Sequence, residues 1–154
     1  MTNNMTIEEL ISKVDKEEIN IDDYVGYVYL TEFLDAGKKY IGKKNFMLTS
    51  NVKLGKKEKA ALPVTRGRKQ TKKKVRKESD WRTYYGSSVE VKELVWVHPA
   101  ERIKRTVLRL CKTSKALTYY ECKYMFECGV LESNNEYLNE NILGRFFSKD
   151  LRED

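Results

Sequence analysis

Gly26-Tyr27-Val28-Tyr29-Leu30 runs toward a turn at Asp35-Ala36-Gly37 and returns as Lys38-Lys39-Tyr40-Ile41-Gly42-Lys43-Lys44. The outgoing arm, Tyr24 to Phe33, is rich in β-branched and aromatic residues and lacks a helical period, so it reads as a strand. A second strand near Lys39 to Lys43 completes a hairpin. Alternation puts Tyr27 and Tyr29 on one face, with Val28 and Leu30 on the other. On the returning arm Tyr40 and Gly42 share a face, opposite Ile41. The hairpin thus carries a hydroxyl-bearing aromatic on each arm, Tyr40 following Tyr29 by eleven positions.

The hairpin leads straight into positive charge. The overall net charge of +7 divides into −7 for residues 1–36, +14 for residues 37–82 and zero for residues 83–154. The positive charge is therefore a block, and a block of this kind reads as a phosphate-binding surface. It continues into a polar insertion at about residues 45–79, with Lys56-Lys57, Arg66-Gly67-Arg68-Lys69 and Lys72-Lys73-Lys74-Val75-Arg76-Lys77. Such a composition buries little apolar surface, and so long a loop in a compact domain is functional or disordered. The expectation is a mobile loop that orders on contact with phosphates.

Upstream, Ile7, Leu10, Ile11 and Val14 have helical spacing, and Thr6 with Glu9 resembles a capping box. This predicts a short helix over Thr6 to Lys16 that covers core, since its polar face is acidic. Downstream, Ser79 is expected to cap a short helix carrying Trp81, Arg82 and Tyr85, stopped by Gly86. A further helix is expected from Ser87 or Ser88, a third strand over Arg102 to Cys111, and a helix over Ser114 to Cys128 ending at Gly129. A tail with Tyr137-Leu138-Asn139 and Phe146-Phe147 closes the chain. The result is an α/β (α+β) domain, a small three-stranded antiparallel sheet flanked by helices. The division expected is an N-terminal helix and lead-in over 1–23 and a domain over 24–154.

Composition excludes several classes. The chain of 154 residues fits one domain, and its apolar runs are far shorter than the ~20 residues of a membrane span. Met1-Thr2-Asn3-Asn4 shows no secretory signal, so an intracellular protein is expected. Cys111, Cys122 and Cys128 form no Cys-x-x-Cys pair, and His98 is the single histidine; buried reduced thiols are expected rather than a zinc site or a histidine-based triad.

Two tyrosines on facing strands, a basic flank, an arginine and a later glutamate suit phosphodiester cleavage. That reaction needs a group that deprotonates or aligns water, a carboxylate for a divalent cation, and positive charge against the transition state. Tyr27-Val28-Tyr29 and Tyr40-Ile41-Gly42 resemble the two halves of the GIY-YIG motif, with Tyr27 where that family often has glycine. The element order, hairpin then helix, strand and Glu-bearing helix, is similar to that of the GIY-YIG nuclease domain over roughly residues 24 to 143. The resemblance extends to small phage-borne members described as homing endonucleases, which have a basic insertion and segments like Glu78 to Arg82 and Tyr84 to Ser88.

The resemblance implies roles. Tyr29 takes the general-base position near the attacking water, and Tyr40 supports it. Gly42 lets backbone approach the site closely. A phenol ordinarily titrates near pH 10, and Lys43 or Lys44 and a nearby metal-bound water would help by favouring the phenolate. Glu121 corresponds to the family's metal-binding glutamate, with Glu127 as rival on the same helix, and a hard oxygen ligand suits Mg²⁺, or another divalent ion such as Mn²⁺. Arg82 is the expected catalytic cation, with Arg66 and Arg68 as rivals and Tyr85 reaching the same phosphate. Asn139 resembles a late supporting asparagine. Arg66, Arg68, Lys69, Lys72, Lys73, Lys74, Arg76 and Lys77 are expected on DNA phosphates. The expectation is a metal-dependent endonuclease on double-stranded DNA, homing-type or nicking, monomeric or transiently dimeric on its substrate, in the host cytoplasm if phage-encoded. The alternative is a nucleic-acid-binding protein of the same fold without catalysis.

Overall fold

The computed structural model describes residues 4–64 and 66–151. In chain order its strands are β1 (Met5–Thr6), β2 (Gly26–Phe33), β3 (Lys38–Asn45), β4 (Met47–Lys53), β5 (Lys72–Glu78), β6 (Ile103–Cys111), β7 (Asn141–Ile142) and β8 (Phe146–Phe147). Its α-helices are α1 (Ile7–Asp15), α2 (Lys56–Ala60), α3 (Val89–Val97) and α4 (Ser114–Glu127). No helix among the described residues is long and apolar enough to cross a membrane. The chain divides into two compact units, one of residues 1–46 and 80–154, the other of residues 47–79.

The larger unit is built on an antiparallel sheet in the order β1-β6-β2-β3. The expected three-stranded sheet thus gains a fourth strand. Met5 and Thr6 pair with Val107 and Thr106 before the chain turns into α1, where the Thr6 hydroxyl accepts a hydrogen bond from the Glu9 N–H at 3.2 Å. Two residues are too few to show alternation, so this strand has no sequence signature. The β2–β3 hairpin has the expected faces, with Tyr29 opposite Gly42, Leu30 opposite Ile41 and Thr31 opposite Tyr40.

Each face buries a different layer. Val28 and Ile41 join Cys111, Leu117, Met125, Val130, Leu131 and Ile142 in a core beneath α4. On the other face Phe33, Val91 and Ile103 pack together, with Tyr40 and Tyr85 beside them. Tyr27, Phe46 and Trp81 are fully buried and meet at ring separations of 5.1–6.3 Å. Between β2 and β6 the register shifts at Val28/Tyr29, a bulge immediately beside the first tyrosine. Such bulges bend the strand and re-aim a side chain.

β3 lies at the sheet edge, yet its outward backbone groups are occupied. Lys39 N–H donates to the Glu136 carbonyl at 2.9 Å, and Leu138 N–H donates to the Lys39 carbonyl at 2.7 Å. Asn139 then behaves as a stand-in peptide unit. Its oxygen accepts from Ile41 N–H at 3.0 Å and its amide donates to the Ile41 carbonyl at 2.7 Å. Further along, the Glu121 side chain accepts from the Lys43 backbone N–H.

Two further expectations are corrected. The helix after the insertion is a single 3-10 turn, Trp81–Thr83, with Asp80 rather than Ser79 at its start and Tyr84 already extended. The carbonyls that would continue a helix are taken elsewhere. Arg105 donates to Arg82 and Tyr84, at 2.9 and 3.4 Å, and the Thr31 hydroxyl donates to the Tyr85 carbonyl at 2.6 Å. The cysteines are free, as expected, but only Cys111 is buried; Cys122 is half-buried and Cys128, at the end of α4, is exposed.

The smaller unit is the expected loop, and it is structured. β4 and β5 pair over seven positions, from Met47 with Glu78 to Lys53 with Lys72. Leu54 is buried, and its N–H donates to the Thr71 carbonyl at 2.9 Å. Lys73 reaches Glu58 on α2 at 2.7 Å. Counting charge misses the period of two. Lys72, Lys74 and Arg76 point one way and Val75 the other, so a hairpin forms without burying a cation.

Candidate active site

The two motif tyrosines lie 6.3 Å apart by ring centroid, on one face of the hairpin. Gly42 is the reason they fit. A Cβ at that position would lie 2.4 Å from the Tyr29 hydroxyl oxygen and 2.6 Å from the ring carbon bearing it. The absent side chain is thus replaced by the neighbouring phenol. Tyr29 ends up 4% exposed, edge-on to Tyr84 at 5.9 Å. Tyr40 is only half-buried and lines a cavity of about 520 Å³ with Glu121, Asn139, Ser87 and Glu90.

This assigns solvent differently from the expectation. Tyr40, not Tyr29, shares the open cavity with Glu121. Burial pushes the Tyr29 phenol far above its usual range, with Tyr84, Tyr40 and Tyr27 and a hydrogen bond to Tyr84 acting the same way. Neither lysine favours a phenolate there. Lys44 pairs with Asp80 at 2.6 Å and stands 3.9 Å over the Tyr84 ring, while Lys43 donates to the Thr118 hydroxyl at 2.7 Å. Burial also raises Tyr40, but a hydrogen bond from Ser87 opposes it. Tyr27 is fully buried and donates to the Trp81 carbonyl at 3.0 Å, which makes it a core residue.

Glu121 lies on α4, whose first turn is capped by the Thr113 hydroxyl at 3.1 Å from Ala116 N–H. Burial raises its carboxyl, opposed by the Lys43 ammonium and the Lys43 N–H. Glu127 is exposed and faces Lys123, 3.9 Å away, so the two glutamates of α4 are clearly distinguished. Glu121 presents oxygen alone, in a cavity roomy enough for water and phosphate oxygens. That donor chemistry fits Mg²⁺ or Mn²⁺, which take a few carboxylates and keep waters. No group of three or more His, Cys, Asp or Glu that could hold a metal ion occurs among the described residues.

Arg82 is not brought to this cavity. It pairs with Asp15 of α1 at 2.8 Å and stacks 4.8 Å over Trp81. Tyr85 lies beneath the Arg105 guanidinium, 4.5 Å from its ring centroid. Arg66, Arg68 and Lys69 lie exposed between α2 and β5, and Lys72, Lys74, Arg76 and Lys77 are exposed on β5, with Lys73 half-buried beside them.

Three contributors escaped the sequence reading. Arg105 is 13% exposed by its side chain and pins the segment after the insertion. Its signal was there, a charge in strand register with inward-facing Val107 and Ile103. Tyr84 and Ser87 each hydrogen-bond one motif tyrosine, Tyr29 and Tyr40 respectively. Gly86 makes this clasp possible. Its φ is +150°, and a Cβ there would lie 3.1 Å from Tyr40 and from Val91. The Tyr84 to Ser88 segment thus holds both tyrosines from one side.

A hairpin tyrosine pair, a glycine under one phenol, and a glutamate and an asparagine thus converge on the hairpin edge. The family model described as "Putative endonuclease segE, GIY-YIG domain" matches residues 10–142, and the protein belongs to this GIY-YIG nuclease family. No curated protein and no solved structure matches the chain.

Proposed function

We propose that the protein is a divalent-metal-dependent endonuclease that hydrolyses phosphodiester bonds in double-stranded DNA, of the homing or nicking type. The observation that carries this reading is the meeting of Tyr40 from β3, Glu121 from α4 and Asn139 from the tail in one cavity. These residues come from three remote parts of the chain, and the family match covers most of it.

The roles follow from chemistry. Glu121 holds the divalent ion, which when bound supplies Lewis acidity at the phosphate oxygens. Tyr40, the accessible phenol, orients the attacking water or the scissile phosphate. The Ser87 hydrogen bond keeps its oxygen in place. Tyr29 sits behind it as a neutral phenol that fixes Tyr40 and Tyr84. Lys43, beside Glu121, supplies fixed positive charge toward the phosphate. Arg82 reaches a phosphate only if its ion pair with Asp15 opens. Asn139 acts through β3, by holding the strand on which Tyr40 stands. The cations of β5 and the turn before it bind backbone phosphates and contribute salt-dependent affinity. One such site per chain cuts one strand per visit, so a double-strand break takes a transient dimer or two visits.

The test is a supercoiled-plasmid assay with and without Mg²⁺, on wild type and on Glu121→Ala. Nicked or linear product is expected only from wild type with metal. Equal cleavage by the variant removes Glu121 from the mechanism. Salt-sensitive binding by wild type with no cleavage in Mg²⁺ or Mn²⁺ leaves a binding protein instead.

A further inference from the structure

The ribbon of β4 and β5 has two unlike faces. On one, Val52, Val75 and Ser50 lie with Lys73, whose ammonium is held by Glu58 of α2. The short helix therefore lies on that side. The other face carries three successive rungs: Thr49 with Arg76, Asn51 with Lys74, and Lys53 with Lys72. All six side chains are exposed. Among the described residues no carboxylate pairs with these four cations, and none hydrogen-bonds the Thr49 or Asn51 side chain.

Glu78 stands one rung beyond Arg76 on this face, but the four cations have no ion-pair partner of their own among the described residues, and together they suit an anionic one. Cations alone would bind any polyanion. The amide and hydroxyl set among them add something that phosphate binding does not use. Asparagine has a donor and an acceptor side by side, which match the major-groove edge of adenine, and threonine suits either a base edge or the thymine methyl. The rungs are spaced about 7 Å apart along the strand, and a two-stranded ribbon is an element the major groove admits.

We propose that the open face of this ribbon lies in the major groove of duplex DNA and selects sequence through Asn51 and Thr49. Lys53, Lys72, Lys74 and Arg76 contact the flanking phosphates. The proposal rests on the nuclease reading for its partner, and it adds to that reading a sequence-selecting element.

The experiment selects preferred sites from a randomised duplex pool with the full-length protein in EDTA, and scores plasmid cleavage in Mg²⁺ on the same preparation. Wild type is expected to enrich a motif. Asn51→Ala and Thr49→Ala are each expected to lower the preference for that motif over a scrambled duplex by roughly tenfold. Ser50→Ala, on the side where α2 lies, is expected to enrich the wild-type motif. The proposal is overturned if the doubly substituted protein still enriches the same motif, or if Ser50→Ala erodes it as much as Asn51→Ala. Binding and cleavage with no enriched motif also overturn it, and leave the nuclease reading standing. A motif that depends on Asn51 without any cleavage supports the ribbon and sinks the nuclease instead.

Discussion

Two antiparallel hairpins follow one another in this chain and use the same backbone for opposite ends. In β2–β3 both faces are covered and the side chains that matter are phenols packed at 5.9–6.3 Å. In β4–β5 one face is open and carries cations at three of its four rungs, the fourth being Met47 with Glu78. Catalytic groups need fixed geometry and restricted water, which a two-sided core provides. Binding a long charged polymer needs reach and exposed charge, and a ribbon stabilised chiefly by its own ladder provides that. The difference teaches that burial, not strand propensity, separates the two hairpins, and on the function proposed above it separates the chemistry from the grip.

The comparison is broken most severely at Glu121. Glu121→Ala is expected to abolish metal-dependent nicking while duplex binding, measured by fluorescence anisotropy, persists. A variant that lost binding as well would merge the two roles. The complementary change, Lys72→Gln with Lys74→Gln and Arg76→Gln, is expected to reduce the slope of log affinity against log salt by roughly 2 to 3, at about 0.9 per phosphate contact. Its turnover on saturating DNA should equal that of wild type.

Paired glycines sharpen the contrast in packing. Gly42→Ala places a methyl group against the Tyr29 phenol, and overpacking of this kind costs about 1–3 kcal/mol. Gly55→Ala, at the N-cap of α2 in the ribbon unit, meets nothing closer than Glu58 at 3.7 Å and should cost only the weaker capping preference of alanine, about 0.5–1 kcal/mol. Urea unfolding followed by circular dichroism measures both. Equal costs would mean that the first hairpin is as loosely filled as the second.

The smallest effect concerns pH. Burial raises the Glu121 carboxyl, so the folded protein binds that proton more tightly than the unfolded chain does. Wild type therefore loses stability as pH rises through the unfolded carboxyl's range, near about 4.3, and on through the higher folded value. Glu121→Gln lacks this loss. In EDTA it should melt above wild type at pH 7, with the gap closing as pH falls through the unfolded carboxyl's range. A gap that widened on acidification would reverse the sign of the burial argument.

Much of the first hairpin was legible because its period and its burial agree. Tyr29, Tyr40, Gly42 and Ile41 lie on the faces that alternation assigns. The helix bearing Glu121 was legible too, through its spacing and the Gly129 that follows it. The ribbon is hidden because its total charge masks the alternation that sends Lys72, Lys74 and Arg76 to one side. The assignment of the open cavity to Tyr40 depends on how far the Tyr29 ring folds onto Gly42, a tertiary fact. Arg82 went to Asp15, sixty-seven residues away, and no local pattern reports such a partner.

The outward edge of β3 is closed by Glu136, Asn139 and Glu121 in turn. Glu121, the proposed metal ligand, is therefore also a stopper. Removing its carboxylate uncovers a strand N–H at a sheet rim, the kind of template on which a second chain can add a strand and begin to aggregate. Self-association thus becomes a side effect of disarming the site by truncation. Glutamine at this position keeps a carbonyl over that N–H, and so yields a silent protein that should also stay monodisperse.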